Sequence, residues 1–184
     1  ALAKAGTEVY HAGAIGQDGM FLLDMLKDAG VHTEYVKVLD EVRTGNAIIQ
    51  NDKSGDNCIL LYGGANQAIT REQVDEVMAH FEKGDYIVLQ NEINELAYIM
   101  EKAHEKGLVT VLNPSPMNEK ISTLPLDTVN YFLLNEVEAS QILGKETTGD
   151  ETWEVIAGQL LERFPHASIV LTMGSEGSVF KNHE

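Results

Sequence analysis

The second half of the chain alternates short apolar runs with longer stretches in which apolar residues recur at helical spacing. The short runs occupy residues 86–89, 108–112, 129–134 and 168–172. Runs of this length predict strands, and a continuous run such as residues 86–89 predicts a strand buried on both faces. The spacing of i, i+3, i+4 and i+7 between the runs predicts amphipathic helices. Strands that alternate with helices favour an α/β fold with a mostly parallel sheet.

Signals at the expected helix starts agree with this pattern. Thr70 is followed three residues later by Gln73, which matches a capping box and predicts a helix over residues 70–81. The longest helix of this half begins near Trp153, and Asp150 is its predicted cap.

The first half predicts a different organisation. Residues 9–14 form a predicted strand and residues 20–29 a predicted helix. Two extended stretches, residues 44–51 and 57–62, then flank a turn-rich segment with no helix between them, which predicts a β-hairpin.

Both faces of the predicted hairpin have apolar side chains. On the first strand Ala47 and Ile49 point to one face and Ile48 to the other, while on the second Ile59 and Leu61 lie opposite Cys58, Leu60 and Tyr62. A two-stranded hairpin is marginal in water on its own, so each face should cover something. We expect one face to close over a ligand as a lid and the other to pack on a second subunit in a homodimer. The alternative is that the hairpin packs back on its own domain.

Charge and cysteine content restrict the possible partners. The 184-residue chain has a formal net charge of −16, which disfavours nucleic acid and anionic membranes because their phosphates would be repelled. The apolar runs are too short to span a membrane. The single cysteine, Cys58, allows no internal disulfide and favours a reducing, cytoplasmic location.

Polar residues follow each of the four predicted strands of the second half. The four segments are Gln90-Asn91-Glu92, Asn113-Pro114-Ser115-Pro116, Asn135-Glu136-Val137-Glu138 and Thr172-Met173-Gly174-Ser175-Glu176-Gly177. Because the carboxyl ends of parallel strands meet at one edge of the sheet, these segments predict a polar ligand site there. Glycines in the last segment would let backbone N–H groups approach phosphate oxygens closely.

Each of these residues also has a purely structural explanation. Glu92 and Glu138 match first-turn helix carboxylates that complement the helix dipole, and Asn135 matches an N-cap. The glycines after Thr172 match a hairpin turn. The six histidines show no metal-ligand spacing, and Ser115 and Ser175 have no neighbouring His/Asp pattern typical of a hydrolase.

Taken in order, the motifs resemble those of the ribokinase (pfkB) family of carbohydrate kinases, and within it the ribokinase subfamily. The matching segments are Gly13 to Gly19 with Leu22 to Val31, Arg43-Thr44-Gly45-Asn46-Ala47, Gly63-Gly64-Ala65-Asn66 and the four strand-end segments. One departure is Gly19, which lies two positions early for the last glycine of the G-x-x-G-x-D-x-x-G pattern. The resemblance covers essentially the whole chain.

The resemblance implies a ribokinase-like three-layer sandwich with a mostly parallel central sheet and a small β-hairpin lid. Residues 1–43 and 63–184 would form the α/β body, and residues 44–62 the lid. The implied activity is ATP-dependent phosphoryl transfer to a sugar hydroxyl, with ribose favoured. Fructokinase-like or nucleoside kinases of the same family remain alternatives, as does a non-catalytic α/β ligand-binding module.

The resemblance also implies roles for particular residues. Glu92, Asn46 and Ala47 would bind the sugar, and Glu138 would organise Mg²⁺ through water. The ATP-binding residues would be Asn135, Thr172, Gly174, Ser175, Glu176 and Gly177. In such phosphoryl transfer the metal has to offset the charge of an acidic protein.

Two family elements have no counterpart among these residues. Family members have a sugar-binding Asp with a G-G-x-x-x-N element upstream, and a D-T-x-G-A-G-D motif with the catalytic Asp downstream. We therefore expect a chain that is shortened at both ends, with the catalytic base beyond Glu184, and expect the 184-residue chain alone to be inactive.

Overall fold

The computed structural model describes residues 1–51, 53, 57–145 and 152–183. These residues fall into two compact units. Unit 1 comprises Ala1–Val77 and Ile93–Glu95, and unit 2 comprises Met78–Glu92 and Leu96–Glu184.

Unit 1 begins with a βαβ element: β1 (Tyr10–Gly16), α1 (Met20–Asp28) and β2 (His32–Leu39). The two strands are parallel and in contact along their length. Gly30 ends the helical turn at a φ of 80°, a conformation that glycine adopts without strain. The predicted strand and helix are confirmed, whereas the sequence pattern does not predict β2. That strand is only partly buried and includes the charged residues Glu34 and Lys37, so its apolar signal is weak.

The predicted hairpin is present in unit 1 as β3 (Asn46–Asn51) and β4 (Asn57–Tyr62), which are antiparallel. Ile48 lies opposite Leu60, and Ile49 lies opposite Ile59. Cross-strand partners share a face, so the predicted distribution of side chains is confirmed. These four side chains are 52–60% exposed, which means that the hairpin does not pack back on its own unit. Of the predicted turn, only Lys53 lies among the described residues.

The predicted helix after Thr70 is shorter than expected, because α2 covers Arg71–Met78. Thr70 Oγ1 accepts a hydrogen bond from the Gln73 backbone N–H at 3.2 Å, which is half of a capping box. The second contact of a capping box, from the Gln73 side chain back to the Thr70 backbone, is not formed. The Gln73 side chain is 4% exposed and donates instead to the Gly13 carbonyl oxygen at 2.8 Å. This hydrogen bond provides a donor for the Gly13 carbonyl oxygen of β1.

Unit 2 contains a five-stranded sheet whose first four strands are parallel and adjacent in chain order. The strands are β5 (Tyr86–Gln90), β6 (Val109–Asn113), β7 (Tyr131–Asn135), β8 (Ser168–Thr172) and the antiparallel β9 (Ser178–Lys181). The helices are α3 (Leu96–Lys106), α4 (Glu136–Ile142) and α5 (Trp153–Arg163). The predicted α/β class with a mostly parallel sheet is confirmed. The predicted cap Asp150 lies outside the described residues.

The helices of unit 2 cover one face of this sheet. Crossovers between parallel strands are right-handed, so successive crossovers in one direction place their helices on the same face. The side chains on this face are buried at 7% exposure or less: Leu89, Thr110, Leu112, Phe132, Leu134, Ile169 and Leu171. The ring centroids of Phe132 and Phe164 are 4.9 Å apart, which joins β7 to the residue that follows α5. No helix in the described part of the chain is long and apolar enough to cross a membrane.

The second face of the same sheet is open. Tyr86, Val88 and Phe180 are 65%, 53% and 59% exposed. The prediction that residues 86–89 are buried on both faces is therefore wrong for this structure. Apolar residues occupy both faces of the strand, but among the described elements of unit 2 the helices form a single layer.

This difference between the faces predicts unequal effects of truncating side chains in the 184-residue chain. Leu112→Ala should lower the free energy of unfolding by about 2–5 kcal/mol, because it leaves a cavity under the helices. Val88→Ala should change it by no more than about 0.5 kcal/mol, since half of that side chain already contacts water. Urea denaturation measures both values, and equal losses would contradict the one-sided core.

Candidate functional site

The carboxyl ends of β5 to β8 form one continuous edge of the unit 2 sheet. The strand register aligns Gln90 with Asn113 at the ends of β5 and β6. It likewise aligns Asn135 with Thr172 at the ends of β7 and β8. The polar segments predicted from the sequence to share an edge therefore do so within this unit. Ligands of open α/β sheets bind at this kind of edge.

Asn135 and Glu138 form a complete capping box at the start of α4. The Glu138 backbone N–H donates to Asn135 Oδ1, and the Asn135 backbone N–H donates to Glu138 Oε2, both at 2.9 Å. Glu138 is 7% exposed. The structural explanation for both residues is thus observed. Two polar atoms take no part in the box: the side-chain amide nitrogen Nδ2 of Asn135 and Oε1 of Glu138. The box therefore does not preclude a further role for either residue.

The glycine-rich segment after β8 is an exposed turn. Gly174–Glu176 form one turn of 3₁₀ helix, and the Met173 backbone N–H donates to the Gly177 carbonyl at 2.9 Å. Gly174 and Gly177 have φ values of 55° and 101°, and a Cβ on either would meet no atom within 4 Å. Backbone conformation, and not crowding, is what requires glycine here. The turn leaves open space around its backbone.

Two side-chain contacts attach this turn to its neighbours. Thr172 Oγ1 donates to the Leu134 carbonyl oxygen at 3.2 Å, which joins the end of β8 to β7. Trp153 Nε1 donates to Glu176 Oε2 at 3.3 Å, which joins the turn to the start of α5. Asn135, Glu138 and the turn are accordingly brought to neighbouring strand ends.

Glu92 lies just beyond β5 and is exposed. The preceding residue, Asn91, connects this strand end to the segment after β6. Its backbone N–H donates to the Ser115 carbonyl at 3.0 Å, and its side-chain amide donates to the Pro116 carbonyl at 2.6 Å. Glu92 therefore follows a fixed loop at the same sheet edge.

The predicted sugar-binding residues of the hairpin belong to unit 1. Asn46 and Ala47 are the first residues of β3, where they pair with Tyr62 and Leu61. Both are exposed. Unit 2 by itself thus brings together the predicted nucleotide residues and Glu92, while Asn46 and Ala47 lie in the other unit.

A magnesium site of protein ligands alone is absent from the described residues, where no group of three or more His, Cys, Asp or Glu side chains is placed to hold a metal. Mg²⁺ in phosphoryl-transfer sites commonly keeps several waters and binds substrate phosphates with one or two carboxylates. Glu138 fits the role of a carboxylate that reaches such an ion through water, because one of its oxygens is held by the capping box.

One cavity of unit 2 lies away from this edge. It is lined by the 3₁₀ turns before β7 and by the ends of α4 and α5, including Asp127, Gln141 and Arg163. Arg163 Nη1 donates to the Ile142 carbonyl at 2.7 Å. None of the predicted site residues lines this cavity. We place the candidate site at the carboxyl edge of the strands, because the loops and helix N-termini converge there.

Sequence reasoning missed one set of contacts near the hairpin. Asp18 and Thr44 belong to two separate motifs, yet they are hydrogen-bonded to each other. The sequence offered two hints of this contact: a carboxylate in the short turn after β1, and a threonine in the segment that leads into the hairpin. Their spacing in the sequence does not indicate that the two residues meet.

Comparison with known proteins identifies the family. The model of the pfkB family of carbohydrate kinases matches the chain over residues 1–184. The chain belongs to this family. The predicted resemblance is therefore confirmed.

Two pfkB family relatives illustrate the similarity in sequence. Ribokinase from Staphylococcus aureus (strain COL) is 32% identical over 90% of this chain and 55% of its own length. Ribokinase from Bacillus subtilis (strain 168) is 32% identical over 96% of this chain and 58% of its own length. The chain thus spans little more than half of the relatives that it matches.

Solved structures of the family share the fold. Ribokinase from Cryptococcus neoformans var. grubii serotype A, solved in complex with ADP, matches with a TM-score of 0.82 and 28% identity over 98% of this chain and 61% of that one. Arabidopsis thaliana ribokinase complexed with ribose and ATP matches with a TM-score of 0.80 and 25% identity over 98% and 60%. The predicted ribokinase-like fold is confirmed.

The capping box predicts a specific effect on stability. Asn135→Ala removes the acceptor for the Glu138 N–H and should lower the free energy of unfolding by about 0.5–2 kcal/mol. Asn135→Asp retains an acceptor and should stay close to the original stability. Chemical denaturation of the three proteins measures this, and equal stability of the Ala and Asp variants would contradict the assigned box.

Proposed function

We propose that the full-length protein transfers a phosphoryl group from ATP to a sugar hydroxyl, with ribose as the favoured acceptor. The observation that most supports this is the shared edge of β7 and β8, where the N-x-x-E residues and the glycine-rich turn occupy adjacent strand ends. Membership of the pfkB family and similarity to ribokinases add support. Since the chain spans 55–61% of these relatives, we propose this activity for the whole protein and do not assign it to the 184 residues alone.

In this proposal the nucleotide binds at the ends of β7 and β8. Asn135 approaches the phosphates, and Thr172, Gly174, Ser175, Glu176 and Gly177 line the nucleotide. The open space around both glycines of the turn lets a ligand reach the backbone. Backbone N–H groups offer positive partial charge without a basic side chain. This matters in a protein whose net charge is −16.

Glu138 is proposed to organise Mg²⁺ through water. The chemistry that Mg²⁺ would supply when bound is neutralisation of part of the phosphate charge during transfer. The capping box fixes the Glu138 carboxylate on the first turn of α4, so its position is set before any ligand binds. The protein contributes a preorganised carboxylate beside the phosphate position.

Sugar binding is assigned to Glu92, Asn46 and Ala47. Glu92 is exposed after β5 and can accept hydrogen bonds from hydroxyl groups. Asn46 and Ala47 stand at the start of the hairpin, residues 44–62, for which we propose the role of a lid. The role of these three residues rests on the family motifs that contain them.

We also propose that the face of the hairpin that includes Ile48 and Leu60 forms a homodimer contact. Apolar side chains on both faces are exposed in the described chain, and a two-stranded ribbon cannot bury them by itself. A two-fold pairing of hairpins would cover one face and protect the strand edges from non-specific association. The other face would remain available to the sugar.

The activity is tested by measuring ADP release from the full-length protein with ATP, Mg²⁺ and a panel of ribose, deoxyribose, fructose and nucleosides. We expect the highest kcat/KM with ribose. Preference for fructose or a nucleoside would refute the ribose assignment and retain the kinase. Absence of sugar-dependent turnover would refute the kinase and favour a non-catalytic binding protein.

The role of Glu138 predicts a defect in turnover without a defect in folding. Glu138→Gln retains an oxygen acceptor for the Asn135 N–H but loses the negative charge, and should lower kcat by about 100-fold or more. Glu138→Ala should lose the capping contact as well, and so should also melt at a lower temperature. Near-normal turnover of Glu138→Gln at limiting Mg²⁺ would show that the assigned role is wrong.

The two faces of the hairpin predict two separable effects in the full-length protein. Ile48→Lys and Leu60→Lys change cross-strand partners on one face, and each should weaken the dimer because it places a charge in an apolar contact. Ile49→Lys changes the other face and should raise the KM for sugar. Sedimentation over a concentration series and steady-state kinetics measure these effects. A monomer at all concentrations, with all three variants unchanged, would refute the arrangement.

A further inference from the structure

The segment that leads into the hairpin is fastened to the turn that follows β1. Residues 40–45 connect β2 to β3, and the Gln17–Gly19 turn lies beside them. Thr44 is the centre of the contact: its backbone N–H and its Oγ1 both donate to Asp18 Oδ1 at 2.9 Å. The same Oγ1 accepts from the Gly16 backbone N–H at 3.0 Å. We refer to Gly16, Asp18 and Thr44 as the clasp.

Two further contacts reinforce the clasp from the same turn. Gln17 Nε2 donates to Asp40 Oδ1 at 2.8 Å, and Arg43 Nε donates to Asp18 Oδ2 at 3.3 Å. The Arg43 side chain is 77% exposed, so this ion pair by itself contributes little. The hydrogen bonds of Thr44 are therefore the main interactions that hold this segment against the turn after β1.

The segment that follows β4 contacts the backbone beside Thr44. The Ala65 backbone N–H donates to the Arg43 carbonyl at 2.9 Å. Gly64 has a φ of 49°, and a Cβ on it would overlap the Arg43 carbonyl oxygen. Both ends of the hairpin thus meet beside the clasp, at a backbone approach that only glycine permits.

Asp18 does not have the ordinary role of a helix cap. Gly19 precedes α1, and no side chain makes a capping hydrogen bond there. The Asp18 carboxylate instead accepts its hydrogen bonds from the segment that leads to the hairpin. The Thr44 backbone N–H, with the Thr44 hydroxyl and Arg43, lowers the pKa of Asp18, because these groups stabilise its ionised form.

We infer that Asp18 and Thr44 are positioning residues, which set the angle of the hairpin relative to β1 and so place Asn46 and Ala47 for sugar binding. The inference rests on the proposed function for its sugar-binding part. Asn46 is two residues beyond Thr44, and each strand of the ribbon has six residues. At about 3.4 Å per residue Asn46 is roughly 7 Å from Thr44, so a tilt of about 10° at the clasp would move Asn46 by about 1 Å. A displacement of about this size is enough to impair the positioning of a substrate.

The test compares Thr44→Val with Thr44→Ser in the full-length protein. Valine has the shape of threonine, but its side chain neither donates to Asp18 nor accepts from the Gly16 N–H. The backbone N–H of residue 44 still donates to Asp18 in this variant. Serine retains both side-chain hydrogen bonds. We expect Thr44→Val to raise the KM for sugar about tenfold, the equivalent of one hydrogen bond to a charged group, with the KM for ATP within about twofold. Thr44→Ser should restore the sugar KM.

Glu76→Gln is the matched control. It removes an exposed ion pair of the same unit, in which Lys37 Nζ is 3.1 Å from Glu76 Oε2, and neither residue makes a hydrogen bond of the clasp. It should leave both KM values unchanged. A fall in melting temperature for Thr44→Val with an unchanged sugar KM would reduce Thr44 to a stabilising residue and overturn the positioning role.

Amide hydrogen exchange gives a second readout that needs no activity. In Thr44→Val the amides of β3 and β4 should exchange faster while those of β1 and β2 do not, and Thr44→Ser should exchange like the original protein. Unchanged exchange in the hairpin would overturn the inference. Faster hairpin exchange in a protein that phosphorylates no sugar would support the clasp and refute the proposed function, so the two failures are distinguishable.

Discussion

The arrangement of the candidate site depends on the parallel pairing of β5 to β8. Parallel neighbours must all run in one direction, so the backbone hydrogen bonds alone bring four carboxyl ends to one edge. Residues far apart in sequence, such as Asn135 and Thr172, then become neighbours. The same pairing directs the crossover helices to one face, where Leu112, Phe132 and Ile169 are fully buried.

The structural role observed for Asn135 and Glu138 is compatible with the chemical role that we propose for them. Their capping box satisfies the backbone N–H groups of Asn135 and Glu138 at the start of α4 and fixes the Glu138 carboxylate before a ligand binds. Fixed charges and dipoles stabilise a developing phosphate charge without further reorganisation. A purely structural explanation of the two residues is therefore compatible with a catalytic one, and only the charge-removing substitution separates them.

The sequence predicts well the elements that have continuous apolar runs and those that are bounded by turn residues. The four parallel strands of unit 2 follow from their apolar runs, and the hairpin follows from two extended stretches around a turn. The burial of residues 86–89 on both faces does not follow, because Tyr86 and Val88 are exposed. Strand β2 is not predicted, because charged residues interrupt its pattern. The Asp18–Thr44 contact is not predicted either, since it joins segments 26 residues apart through side-chain hydrogen bonds that spacing does not encode. The Gln73 side chain does not complete the expected capping box, because it donates instead to the Gly13 carbonyl oxygen of β1.

The most direct test of the account is a crystal structure of the full-length protein with ribose and a non-hydrolysable ATP analogue. The account predicts phosphate oxygens within hydrogen-bonding distance of the backbone N–H groups of the Gly174–Glu176 turn, with Asn135 beside them. A nucleotide bound elsewhere, for instance in the cavity lined by Asp127 and Arg163, would contradict the assignment of the site to the carboxyl edge of β5 to β8.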